Sequence, residues 1–202
     1  MINKKGLLLV VSGPSGTGKG TICKDIVAKH EDINLSISAT TRNPRVGEVE
    51  GKSYFFKTKE EFEAMVDRGE FLEHAMIYDN YYGTPKKAIF DELDMGRDVI
   101  LEIEMQGAMQ IKEVYPQAVF IFVLPPSLQE LRNRIVGRGT ETEEQIEKRF
   151  NSAYDEIKLL GDYDYFIFNN IVEKSSEEIL NILEVEKNKV SRYKKDILDM
   201  FE

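Results

Sequence analysis

Nine consecutive residues near the amino terminus, Gly13-Pro14-Ser15-Gly16-Thr17-Gly18-Lys19-Gly20-Thr21, have the types and spacing of a phosphate-binding P-loop. Glycines let successive backbone N–H groups turn inward as an anion nest, and a helix starting at the loop's end adds its positive pole. Lys19 supplies a mobile cation able to reach the outer phosphates of a nucleoside triphosphate. The alternative is an ordinary glycine-rich turn. Against it stand the apolar run of residues 7–11 directly before the loop and the helical sequence Ile22-Cys23-Lys24-Asp25-Ile26-Val27 directly after it, the context the motif requires. One position departs from the pattern. Where Ser or Thr commonly follows the lysine as a magnesium ligand, this chain has Gly20, and Thr21, offset by one, could serve a metal only through water.

The arginines that could meet phosphate fall into two groups. Arg42 and Arg45 bracket Pro44, which disfavours helix at Asn43 and keeps the segment extended. Arg134 and Arg138 lie four apart before a glycine turn, with Arg149 beyond it. A guanidinium is a planar fork matched to phosphate oxygens. Any one of these arginines could be solvated surface, but two groups, each beside glycines, suit two phosphate-bearing substrates. Ser38, Tyr54, Glu73, Tyr82 and Thr84 form a candidate second-substrate pocket. Guanine offers adjacent N1–H and 2-amino donors that one carboxylate can accept together, and hydroxyl donors suit its O6. Taken alone, Glu73 also reads as a surface acid.

These residues need a frame. A helix is expected over residues 18–30, an extended segment at 35–41, and a strand signal at Tyr54-Phe55-Phe56. Thr58 and Glu61 form a capping box for a helix ending at Gly69, followed by an extended stretch at 71–77. The elements between Ser38 and Pro85 are short, so this region reads as an insert. Core character returns with a helix at 86–93, a strand at 99–103, a helix at 106–114 and the apolar run 118–124, the kind of run that suits a parallel strand covered on both faces. Ser127 and Glu130 cap a helix to Val136, and Thr142 caps another through Ile157. Residues 165–168 are a last strand, and Ser175 and Ser176 are expected to cap one long helix to Met200. The alternation implies an α/β fold with a parallel sheet, whose ligands sit at the carboxyl ends of the strands. That rim would collect the loop, Glu102, Pro125 and Asn169.

With 202 residues the chain can form a single domain with small inserts. A net charge of -9 argues against a broad nucleic-acid face and leaves room only for local basic pockets. Cys23 is the single cysteine, so neither an intramolecular disulfide nor a thiolate metal site is available. The first apolar run passes straight into the loop, as a core strand does and a signal peptide does not, and no stretch reaches membrane-spanning length. A soluble protein of the cytoplasm is expected, with no membrane or nucleic-acid polymer as partner.

The strings VSGPSGTGKG, SATTRNPRVGEVEGKSYFF, GEFLEHAMIYDNYYGT, LEIEMQGA and PPS…RGTETEEQIEKR resemble, in order and spacing, the soluble guanylate kinases over residues 6–186. The resemblance implies a P-loop nucleoside monophosphate kinase fold: a core of residues 1–37, 88–133 and 154–202, a GMP-binding subdomain at 38–87, and a helical lid at 134–153. It implies transfer of the γ-phosphoryl group of ATP to GMP, and also to dGMP, with magnesium. Lys19, Arg42, Arg134, Arg138 and Arg149 would carry catalysis. The ATP site would comprise residues 13–21 with Arg134, Arg138 and Asn169. GMP would lie on Arg42, Arg45, Tyr54 and Tyr82 through its phosphate, and on Ser38, Glu73, Thr84, Glu102 and Glu104 through its base. Departures are Gly20 for a common Ser, Glu104 for a frequent Asp, and His74 for a frequent Trp, the last a packing change. A kinase of another phosphorylated acceptor, or a non-catalytic protein-binding domain of this type, would share parts of the pattern. The subunit would be a monomer or a homodimer.

Overall fold

The computed structural model describes residues 5–77, 79–136 and 143–202. Five parallel strands, β1 (Leu8–Ser12), β2 (Ile33–Leu35), β7 (Asp98–Glu102), β8 (Val119–Leu124) and β9 (Tyr165–Phe168), are ordered β2-β7-β1-β8-β9. All of β1 and β8 is buried, because helices cover both faces. Leu9 and Val11 turn toward Ile22, Cys23 and Ile26 of α1 (Lys19–Lys29) and toward Ile179 and Leu183 of α7 (Val172–Glu186). Leu8 and Val10 turn the other way, toward Ile89 and Leu93 of α3 (Lys86–Asp94) and Ala108 and Ile111 of α4 (Met105–Val114). The period-two alternation of one strand thus builds two cores.

A second, four-stranded sheet in the order β4-β3-β6-β5 occupies the expected insert: β3 (Ala39–Thr40), β4 (Phe55–Phe56), β5 (Phe71–Ile77) and β6 (Asn80–Pro85). The extended segment expected at 35–41 is therefore divided. Its start pairs with β7 in the core, and Ala39 and Thr40 pair with Phe55–Phe56 and with Gly83 and Tyr82. The helix α2 (Lys59–Asp67) has the full capping box, Thr58 accepting from Glu61 N–H and Glu61 accepting from Thr58 N–H. Its Phe62 is fully buried and stacks on Phe71 at 4.5 Å and on Tyr81 at 5.3 Å. The insert touches the core where β5 meets α4: the Gln110 side chain donates to His74 O at 3.0 Å and accepts from His74 N–H at 3.2 Å.

Beyond β8, Ser127 Oγ accepts from Glu130 N–H at the start of α5 (Leu128–Val136), and α6 spans Glu143–Ile157. The expected capping residue Thr142 lies outside the described residues. A 3-10 turn, Lys158–Asp162, leads to β9.

The carboxyl-terminal expectation needs correction. Helix α7 starts at Val172, so Ser175 and Ser176 lie inside it and are buried. The Ser175 hydroxyl is engaged with Asn169 Oδ1, 3.2 Å away, and so is not free to cap. Nor does one helix reach Met200. The chain breaks after Glu186 and restarts as α8 (Val190–Leu198), with Lys189 extended. Ion pairs fasten the break: Lys187 with buried Asp98, and Lys189 and Arg192 with buried Glu186.

Candidate active site

The P-loop joins β1, the central strand, to α1. Gly13, Gly16 and Gly18 have φ of 135°, 91° and 90°, values that favour glycine, so the turn could not be made from ordinary side chains. Gly18 caps α1 with no side-chain bond, leaving the first N–H groups of the helix facing the loop. Thr17 Oγ1 donates to Pro14 O at 2.9 Å, closing the turn internally. Lys19 is only 8% exposed; its ammonium donates to Gly13 O and to Pro14 O. Ser15 and Gly16 are partly exposed, and Thr21 is exposed on the first turn of α1.

Asn169, at the end of β9, holds this loop from behind. Its Nδ2 donates to Thr17 O at 2.7 Å, and its Oδ1 accepts from Ser175. Arg134, on α5, is aimed by Glu130 (Nε to Oε1, 2.9 Å) and donates to Asn169 O at 3.1 Å and Thr17 O at 3.4 Å. The structure thus brings Asn169, expected at the strand ends, and Arg134, from α5, to the loop. Arg138 lies outside the described residues, and Arg149 belongs to α6 with its side chain likewise undescribed.

From Lys19 a cleft of about 340 Å³ runs into the insert, lined also by Ser38, Tyr54, Glu73, Tyr82, Glu102 and Glu104. These seven residues come from both sheets and their connections. Glu73 is 7% exposed and accepts from Thr84 Oγ1 at 2.6 Å. Strands β5 and β6 place the two opposite each other, which fixes the bond. Thr84 itself is fully buried behind the glutamate. Burial raises the Glu73 carboxyl above the ordinary carboxylate range, with the Thr84 bonds opposing. Glu102, at the end of β7, is also raised by desolvation, while Lys19 and Lys24 pull it down and Glu104 pushes it up. Glu104 is the N-cap of α4.

Arg42 is held bidentately by Glu48 at 2.8 and 3.0 Å and donates to Asn43 O at 2.7 Å. Its guanidinium lies 5.4 Å from the Tyr54 ring centre, and Tyr82 beside it adds to the upward shift of its pKa. Tyr54 and Tyr82 meet edge to face at 6.1 Å. Arg45 donates its backbone N–H to Glu48 at 2.7 Å, and its residue surface is exposed. Arginine and acceptor are each stabilised in the charged form: Arg42 is raised by Glu48, and Glu48 lowered by Arg42 and then by the Arg45 N–H.

Sequence reasoning missed Glu48 and Gly107. The spacing Arg42-x5-Glu48 in a turn-rich segment was the available signal for the first. Gly107, in α4, lets Glu73 come close: a Cβ there would lie 2.6 Å from Glu73 Oε2. A larger groove of about 900 Å³ opens at the opposite end of the sheet near Lys5, Tyr115 and Arg192. Two of its acids are already paired, Asp94 with Lys5 and Glu186 with Lys189 and Arg192, and it has no phosphate loop.

Residues 5–186 match the family model described as guanylate kinase. The chain belongs to the guanylate kinase family. A relative from Clostridioides difficile (strain 630), named guanylate kinase, is 67% identical over 201 residues, covering 100% of this chain and 98% of its own length. One from Caldanaerobacter subterraneus subsp. tengcongensis, with the same name, is 56% identical and covers 96% and 94%. Among solved structures, guanylate kinase from Anaplasma phagocytophilum superposes with a TM-score of 0.77 at 36% identity, covering 93% of this chain and 89% of that one. Membership accounts for the pairing of a P-loop with an acid-lined insert. Among the described residues, no helix is long and apolar enough to cross a membrane.

Proposed function

We propose that this chain transfers the γ-phosphoryl group of ATP to GMP, releasing ADP and GDP. The observation that carries the reading is the single cleft running from Lys19 of the phosphate loop to Glu73 of the insert. One end suits a triphosphate donor and the other a guanine, so the two substrates would meet with their phosphates between. In this reading residues 38–87 hold GMP and residues 134–153 close over ATP.

The acceptor is a phosphate monoester, largely ionised near neutral pH because its second pKa is about 6. It needs no protein base, and neither His30 nor His74 is assigned one. Catalysis is positioning and charge stabilisation. Lys19 and the loop N–H groups cradle the donor phosphates, and Arg134, with Arg138 and Arg149, adds positive charge from the lid. Arg42 and Arg45 aim the attacking oxygen, with Tyr54 and Tyr82 beside them. Glu73, steadied by Thr84, accepts from the guanine N1–H and 2-amino groups, and Ser38 donates toward O6. Closure of insert and lid excludes water, which would otherwise hydrolyse ATP.

Magnesium fits this site as a partner of the nucleotide. Such an ion takes one or two carboxylates and otherwise phosphates and water, and the described residues hold no three-acid cluster able to cage a metal. Glu102 and Glu104 are the acids at hand, with the exposed Thr21 hydroxyl within reach only through water. When bound, magnesium supplies neutralisation of the phosphoryl charge. A role in the cytoplasm accords with the composition.

The test is an ADP-release assay across GMP, dGMP, AMP, CMP and UMP. Turnover with GMP, and more weakly with dGMP, against background rates with the other three is the expected result. Equal turnover with AMP would overturn the guanine assignment.

A further inference from the structure

Three glycines of the phosphate loop are dictated by backbone conformation, but Gly20 is not. It is the second residue of α1 and is not among the glycines with positive φ. A glycine in a helix lowers its stability relative to almost any other residue, so something else must account for it. The neighbouring carboxylate does. A Cβ built on Gly20 would lie 2.9 Å from Glu102 Oε1, 3.0 Å from Oε2 and 3.2 Å from Cδ. A side chain at residue 20 would require the Glu102 carboxylate to shift from where it lies against the first turn of the helix.

The same device recurs across the cleft, where Gly107 in the first turn of α4 seats Glu73. The two seated acids differ in their partners. Glu73 is held by the Thr84 hydroxyl. The Glu102 carboxylate receives no hydrogen bond from a described residue; its oppositely charged neighbours are Lys19 and Lys24, and Glu104 adds a like charge. It faces the cleft beside the anion nest, where a lone carboxylate would repel phosphate. A cation between it and the phosphates would offset that repulsion.

We propose that Gly20 and Glu102 form a length-matched positioning pair, in which the missing side chain at residue 20 seats the Glu102 carboxylate where it replaces the usual P-loop hydroxyl and faces the nucleotide's divalent cation. This rests on the reaction proposed above. A side chain at residue 20 competes with the Glu102 carboxylate for the space it now occupies, a competition that the shorter aspartate would relieve.

The test is calorimetric titration of the full chain with a non-hydrolysable ATP analogue, with magnesium and with the metal chelated. In the parent chain magnesium tightens binding. Glu102→Gln reduces that tightening by at least about tenfold, the scale of a charge-assisted contact, and leaves metal-free affinity equal or better, because a like charge has gone. A purely structural role would weaken both conditions together. Gly20→Ser reproduces the loss, and adding Glu102→Asp to it recovers most of the magnesium dependence. Full magnesium tightening in Glu102→Gln would overturn the pairing, as would a double variant no better than Gly20→Ser. Should Gly20→Ser fail to melt cooperatively, Glu102→Gln alone decides. A parent chain that binds the analogue with magnesium but does not phosphorylate GMP would overturn the assigned acceptor and leave the pairing standing.

Discussion

The two ends of the cleft are built differently. The phosphate loop grows out of the central strand of a five-stranded sheet and is braced by residues 117 to 152 positions away, Arg134 and Asn169 on Thr17. The acceptor end stands on short strands with an aromatic core of its own, Phe62 stacked between Phe71 and Tyr81. Its bonds are mostly local: Arg42 to Glu48, Thr84 to Glu73, Thr58 to Glu61. The donor end therefore shares the stability of the whole core, while the acceptor end depends on its own small cluster and on the seam where Gln110 meets His74.

That contrast can be broken in several places. Phe62→Ala removes the centre of the aromatic stack and should cost about 3–5 kcal/mol. The loss should appear as faster amide exchange across residues 39–85, with β1 and β8 still protected; uniform loss of protection would show that the two sheets unfold as one. Lys19→Ala should lower turnover at least ~100-fold, the scale for removing one preorganised charge from a phosphoryl-transfer site, without lowering the melting temperature. Near-normal steady-state turnover would remove Lys19 from the mechanism. Glu73→Gln turns one acceptor into a donor and should weaken GMP by about 10–100-fold with ATP affinity unchanged; equal losses for both nucleotides would count against base reading.

The same variant carries a pH signature. The folded carboxyl of Glu73 lies above its ordinary value of 4.5 because of desolvation, so the folded state holds this proton more tightly than the unfolded chain. Its contribution to stability is present below pH 4.5 and is lost as pH rises through the folded value. Melting curves of the parent should therefore fall relative to Glu73→Gln as pH rises from 4 to neutral, and parallel curves would contradict this. The smallest effect is expected from Asn169→Ala. It deletes the bonds to Thr17 and Ser175 and should cost about 1–2 kcal/mol, with ATP binding weakened more than GMP binding if the brace serves the loop.

Much of this was legible in the chain itself. The loop was visible because three of its glycines answer a backbone requirement, and β5 and β9 because turn residues bound them tightly. The capping box at Thr58 and Glu61 depends only on residues three apart. What escaped depends on distant neighbours. Ser175 looks like a cap until Asn169 is seen to take its hydroxyl, and the break after Glu186 depends on Asp98 drawing in Lys187 from far along the chain. Gly107 reads as an unremarkable helix residue until Glu73 arrives from the insert. Glu73, Glu102 and Glu104 line one cleft, yet sequence alone could not separate Glu73, held by the Thr84 hydroxyl, from Glu102, which lies against Gly20 of the loop helix.

Cys23 lies fully buried on the inner face of α1, and desolvation, with the nearby Glu102 charge, pushes its thiol far above the ordinary range. Thiolate is therefore suppressed, and no reagent reaches the sulfur while the helix is seated. The chain thus carries a built-in clock: alkylation of its one thiol should proceed only as fast as the phosphate-loop helix lifts from the sheet. Nucleotides that hold the loop in place should slow that clock, so occupancy of the donor end can be timed without following the reaction at all.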